Sequence, residues 1–195
     1  MRKKSHISLA RYLVKSLSND ELTQHKRAFY LGNILPDCKP SFVTTRHEFF
    51  GTFDMVKETI SRLTSESDPG FIFSSAYYRK LGEVSHYLAD YFTFPHNITY
   101  TGNIREHCAY EEQLKISLKE YIKSGEAQKI SDDVQRLNTL DDLFEFIKKT
   151  HSEYLKFKRT IEEDCKYIVS LCHNVVAGIL HLLFQRREQM VPVFA

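Results

Sequence analysis

The sequence predicts an all-α fold, and three observations carry that prediction. Apolar residues recur at three- and four-residue spacing in segment after segment. Alternating apolar runs of any length are missing, and seven glycines and five prolines in 195 residues leave long periodic segments uninterrupted. The first such segment, His6 to Leu17, puts Ile7, Ala10, Val14 and Leu17 on one face, and Arg11 and Lys15 interrupt what a secretion signal would need as a continuous apolar stretch. An amphipathic helix is therefore expected there. Asn19 then caps a second helix, Asp20 to Ile34, which Pro36 halts. A third runs from about Thr44 to Ser65 through Phe49, Phe53, Val56, Ile60 and Leu63, until "SDPG" breaks it.

The fourth helix, Ser74 to Phe92, must end ahead of Pro95, because the residue before a proline is driven out of helical conformation. Ile104 to Lys123, Asp141 to Lys149 and a long helix from Glu153 to Arg187 complete the set. The polar stretch "KSGEAQKISDDVQRLNTLDD" is expected as a looser connection. The most apolar stretch, "YIVSLCHNVVAGILHLLF", holds His173, Asn174 and His181 and falls short of a comfortable span, so a core helix is expected and no transmembrane segment.

A chain of this length can bury its own core without disulfides, so residues 1–195 are expected to form a single domain. Lys plus Arg is 27 against 25 for Asp plus Glu, interspersed rather than blocked. This net charge of +2 offers no broad basic surface, and no stable nucleic-acid partner is expected. Cys38, Cys108, Cys165 and Cys172 form no Cys-x-x-Cys pair, which points to a reduced, cytoplasmic setting.

The residues that packing does not ask for lie in "SHYLADYFTFPH" and its surroundings. His86 and Asp90 are four residues apart and share a helix face, and His107 and Glu111 repeat that spacing on the next helix. Each pair can grip a cation from one rigid element. His96 follows the Pro95 break, where its ring can swing back toward either pair. Upstream, Asp37 follows Pro36 at a helix end, His47 opens the third long helix and His6 begins the first. Imidazole with carboxylate oxygen is a donor set that suits Zn²⁺. The bland alternative is a buried polar network joining helices. His25, His151, His173 and His181 fall outside the pattern and are read as surface or core histidines. Phe42, Phe49, Phe50, Phe53, Tyr77 and Tyr78 could line a pocket, but core packing accounts for most of them.

His6, "LGNILPD" with Asp37, His47, "SHYLADYFTFPH" and "HCAYE" together resemble the zinc-dependent phospholipase C family, and more distantly the single-strand nucleases of the same all-helical architecture. The resemblance spans about Ser5 to Glu112. It implies a multi-helix bundle with two or three zinc ions in a cleft: one held by Asp37, His47, His86 and Asp90, a second by His96, His107 and Glu111. A third would be shared by Asp90 and His6. It implies hydrolysis of a phospholipid or another phosphodiester by metal-activated water, with Asp37 as candidate general base. Two departures follow. Secreted members complete the third site with a free mature N-terminus, whereas here Met1 lies five residues before His6, so that site is expected to be weak, differently completed or empty. Where choline-lipid enzymes place cage aromatics, Cys38 and Thr44 stand, so phosphatidylcholine is not the expected substrate.

Four other functions compete. A nuclease or nucleotide phosphodiesterase could use the same scaffold, with bases stacked on aromatics. A metal-binding module without catalysis would keep the ligands alone. Phosphohydrolases built on a His-Asp doublet and ferritin-like di-iron bundles fit poorly. No histidine is followed by aspartate, and "EVSH" is the sole Glu-x-x-His run.

Overall fold

The computed structural model describes residues 1–38, 48–131, 137–156 and 160–190, and within these all regular structure is helical. Helix α1 (Lys3–Leu17) buries Leu9, Ala10, Leu13 and Val14 and stops at Ser18, which adopts a left-handed conformation with φ 47°. It begins three residues ahead of the predicted start, so His6 sits one turn inside it. The second predicted helix is two. Helix α2 (Asp20–Gln24) is capped by the Asn19 side chain, which accepts from the Leu22 amide, and α3 (Lys26–Gly32) follows a break at His25. At the break the His25 ring stacks at 4.9 Å on Tyr78 of a later helix.

Helix α4 (Phe49–Ser65) presents the predicted Phe53, Val56, Ile60 and Leu63 to the core, and its expected start at Thr44 lies outside the described residues. The "SDPG" break is itself a helical turn, α5 (Pro69–Ile72), because Asp68 caps it through the Gly70 amide and proline suits the first helical position. Helix α6 (Ser75–Tyr91) starts at a Ser74 cap and ends as predicted, ahead of a 3-10 turn over Phe94–His96. Helix α7 (Ile104–Lys123) matches its prediction, fixed by a capping box between Asn103 and Glu106.

Two expectations fail in the second half. The polar connection contains a helix, α8 (Glu126–Ser131), and the long last helix does not begin at Glu153. That residue belongs to the final turn of α9 (Leu140–Tyr154). A new start is made where the Thr160 hydroxyl accepts from the Glu163 amide and the Glu163 carboxylate accepts from the Thr160 amide. The resulting α10 (Ile161–Met190) packs against α1, α4, α6, α7, α8 and α9, burying Ile168, Val169, Leu171, Cys172, Val175, Val176 and Ile179. By length and composition α10 could cross a membrane, but two-thirds of that stretch (67%) is buried inside the protein, as a core helix requires.

One crossing positions the site. Helices α3 and α6 approach so closely at Gly32 and Gly82 that a methyl group on Gly82 would sit 2.3 Å from the Phe29 carbonyl oxygen, and one on Gly32 would sit 2.0 Å from that of Arg79. Only two glycines allow the backbones to meet here. The crossing lays the end of α3, and the 3-10 turn Pro36–Cys38 after it, along α6 beside His86.

Candidate metal centre

Helix α6 turns Leu81, Val84 and Leu88 into the core and brings His86 and Asp90 together on a neighbouring face, both fully buried. His86 Nδ1 lies 2.8 Å from the Asn33 carbonyl oxygen. A carbonyl only accepts, so Nδ1 carries the proton and Nε2 is left with its lone pair. That lone pair faces Asp90 Oδ2 at 3.3 Å and Asp37 Oδ1 at 3.6 Å. From α1 the His6 ring stacks on His86 at 4.0 Å, with its Nε2 3.3 Å from Asp90 Oδ1. That contact lacks hydrogen-bond alignment, and neither ring nitrogen of His6 has a hydrogen-bond partner although the residue is fully buried.

Two stacked imidazoles beside a buried carboxylate, one of them without a hydrogen-bond partner, are costly as a packing device. They are what a cation site needs. Ligand atoms of His6, His86 and Asp90 lie within 4.8 Å of one another, and so do those of His96, His107 and Glu111. In the second group the 3-10 turn aims His96, whose Nε2 is 3.1 Å from Glu111 Oε1, and His107 Nε2 meets the same oxygen at 3.1 Å from one turn earlier on α7. His96 Nδ1 is also 3.6 Å from Asp90 Oδ2, so Asp90 stands between the groups. The donor set of each group fits zinc.

The Met1 nitrogen occupies the space between them. It donates to Asp90 Oδ1 at 2.7 Å and lies 3.0 Å from Glu111 Oε1 and 3.0 Å from His96 Nε2. The Met1 nitrogen thus reaches the third site from five residues ahead of His6. Because α1 begins at Lys3, its first turn carries Met1 back over His6 and Asp90.

The electrostatics follow from burial. Burial pushes the His6 imidazole down to about 3, helped by His86, so His6 is neutral and able to donate a lone pair. Burial opposes the charge on Asp90, yet the Met1 ammonium and the rings of His96, His86 and His6 hold its carboxyl well below the usual range. Glu111 is likewise ionised: burial opposes this, and the hydrogen bonds from His107 and His96 outweigh it. Burial works against the Met1 ammonium too, but Asp90 and Glu111 raise its pKa above the ordinary value. Two carboxylates here hold a positive charge between them.

The second group opens on a cleft of about 1040 Å³ lined by Met1, Asp37, His96, His107 and Glu111 among others, while the fully buried first group lies behind Asp37 and the Met1 nitrogen. Asp37 stands on the cleft wall, close enough to His86 to join the first group and half-buried beside the open space. His47, like Thr44 and Phe42, lies outside the described residues. The histidines left out of the pattern divide as surface and core. His25 and His181 lie outside the core, while His151 is buried, stacked on Phe49 at 4.0 Å with Nε2 3.1 Å from Asn97 Oδ1. His173 is buried and His181 exposed, so the two do not share an environment, and His173 has no hydrogen-bond partner rather than a satisfied one. Phe53, Tyr77 and Tyr78 are core residues, and Phe50 is 69% exposed.

One supporting residue was not legible beforehand. Asp164, fully buried in the first turn of α10, accepts from the Phe94 amide at 2.9 Å, from Tyr110 at 2.9 Å and from Tyr154 at 2.7 Å. It ties the turn that carries His96 to α7 and α9. Its partners lie 70, 54 and 10 residues away in sequence, beyond any local pattern.

Helices that converge buried imidazoles and carboxylates on an open cleft, with a shared aspartate between two ligand groups, define an all-helical metal-site scaffold. The family model described as zinc-dependent phospholipase C matches residues 5–161, and the chain belongs to that family. Searches of curated proteins and of solved structures give no significant match.

Proposed function

We propose that residues 1–195 act as one zinc-dependent phosphodiester hydrolase domain of the phospholipase C kind, cutting a phospholipid. The single observation that carries this reading is the pair of ligand groups that meet across Asp90 and the Met1 nitrogen, one of them lining a solvent-open cleft and the other buried directly behind it. His86, Asp90 and Asp37 would hold one ion, with His47 as a further ligand implied by the resemblance. His96, His107 and Glu111 would hold a second, and His6, Asp90 and the Met1 amine a third. Bound zinc supplies activated water and charge neutralisation at the phosphoryl group.

The chain's own residues do the rest. Asn33 fixes the His86 tautomer so that Nε2 faces the cluster. Asp164 holds the turn that aims His96. Asp37, on the cleft wall, is placed to take the proton from a water that attacks phosphorus, and the phosphodiester bond to the leaving oxygen breaks. Exposed Cys38, in place of a cage aromatic, leaves no quaternary-ammonium pocket on that side.

The test is turnover of a generic aryl phosphodiester by protein whose zinc content has been measured. Metal-dependent hydrolysis that a chelator abolishes and zinc restores supports the reading. Bound zinc with no turnover on lipids, nucleotides or aryl esters makes the chain a binding module instead.

A further inference from the structure

We propose that the outer lip of the cleft is a docking surface for a bilayer rich in anionic glycerophospholipid, and that a negatively charged head group enters the site past Lys3, Lys4 and Lys115. Calling that lipid a substrate rests on the hydrolase reading above; the docking surface does not.

Arg2, Lys3, Lys4 and Lys115 line the same cleft as His96, His107 and Glu111. Arg2, Lys4 and Lys115 gather around one carboxylate, Glu112, which pairs with Arg2 and with Lys115 and feels Lys4 as well. With exposed Lys3 and the Met1 ammonium counted, the cations here outnumber Glu112 and the acids that line the cleft with them, Asp37, Glu48 and Glu111. The first three of these residues lie ahead of the stretch the family model matches, so membership of the family assigns them nothing.

The opposite side of the lip is aliphatic. Ile98 is 66% exposed and Ile104 is 76% exposed, and both line the cleft. Ile104 is the first residue of α7, the helix that carries His107 and Glu111. Large exposed aliphatic side chains beside a cluster of lysines are the combination that binds an anionic membrane surface: the isoleucines enter the acyl boundary while the ammonium groups meet lipid phosphates.

A single nucleic-acid strand would be drawn by the same cations, but it needs aromatic faces on which bases stack. Isoleucine has none. Among the described residues, the tyrosine lining the lip, Tyr100, is engaged edge-on with Phe94 at 5.2 Å and His107 at 6.0 Å, and its hydroxyl donates to the Asn103 carbonyl oxygen at 3.2 Å. The lip is built for lipid.

The test is sedimentation of the zinc-loaded full chain with vesicles of phosphatidylcholine alone, and with vesicles in which about one third is phosphatidylglycerol. Binding to the mixed vesicles is expected to be at least about tenfold tighter and to weaken as salt is raised. Lys3→Gln with Lys4→Gln should remove roughly twentyfold of that affinity, about fivefold for each lysine. Ile98→Ser with Ile104→Ser should weaken binding to both compositions. All four side chains are surface-accessible, and circular dichroism of each variant establishes that it is folded.

Equal binding to neutral and anionic vesicles overturns the proposal. So does a lysine double variant that binds as wild type does, or a single-stranded oligonucleotide that binds with the lysine dependence expected of vesicles. Aryl phosphodiester turnover in the same samples separates the two readings. Turnover without vesicle preference removes the lip and keeps the hydrolase. Vesicle preference without turnover supports the lip and removes the hydrolase.

Discussion

The Nδ1 of His86 donates to the carbonyl oxygen of Asn33 at 2.8 Å, 53 residues earlier in the chain, and this bond depends on two glycines. Asn33 follows Gly32, which meets Gly82 where α3 crosses α6. The bond that fixes the imidazole tautomer is therefore made beside a crossing where two helix backbones meet across glycines.

Gly82→Ala tests that dependence. The added methyl group would lie 2.3 Å from the Phe29 carbonyl oxygen, so α3 must move away. The expected cost is about 1–3 kcal/mol of stability by denaturant unfolding, together with weaker zinc binding at the His86 group. Unchanged zinc affinity would separate the helix crossing from the metal centre.

Asp37 and His86 are expected to behave differently on substitution. Asp37→Asn keeps an oxygen ligand but loses the base, and should lower the rate at least about a hundredfold while most zinc remains. His86→Ala should strip zinc from the first group. Metal analysis alongside kinetics distinguishes them, and equal metal loss would make Asp37 a ligand with no base role.

Asp164 is expected to be felt in both pH and metal. Burial pushes its carboxyl up to about 6 against the pull of the Phe94 amide, Tyr154 and Tyr110. An acid whose folded pKa lies above its unfolded value binds protons more tightly when folded. Its stabilising contribution is thus full below about pH 4 and falls as pH rises through about 6, by up to about 3 kcal/mol. The stability difference between wild type and Asp164→Asn should shrink over that window in metal-free protein. The same variant should weaken zinc binding at the His96 group by about tenfold.

The Met1 amine is protonated at neutral pH, since Asp90 and Glu111 raise its pKa despite burial. To bind zinc it must lose that proton. Titration of zinc into the metal-free chain in buffers of different ionisation enthalpy should therefore register about one proton released from this group. Extending the chain ahead of Met1 turns the amine into an amide, and both that proton and one zinc equivalent should disappear.

The parts of this site legible in the sequence are those that a single helix encodes. His86 with Asp90 and His107 with Glu111 could be read because positions four apart share a face. Helix α7 was predictable to its ends because its Asn103–Glu106 cap is local. The break at His25 was not: the residue there stacks on Tyr78 in another helix, a contact no local pattern carries. The false start at Glu153 came from periodicity running on through a segment whose true cap is Thr160 with Glu163. Asp164, and the return of Met1 to Asp90, depend on partners far away in the chain, and no local pattern carries them. The basic lip was hidden for another reason: a net charge of +2 says nothing about where the charges gather.

The most direct measurement is the zinc content of the purified chain by inductively coupled plasma mass spectrometry, after dialysis against metal-free buffer and again after reloading. Two ligand groups predict at least two zinc ions per chain, with one group emptied in His86→Ala and the other in His107→Ala. A chain that emerges free of zinc and takes up none on reloading would contradict the account at its centre.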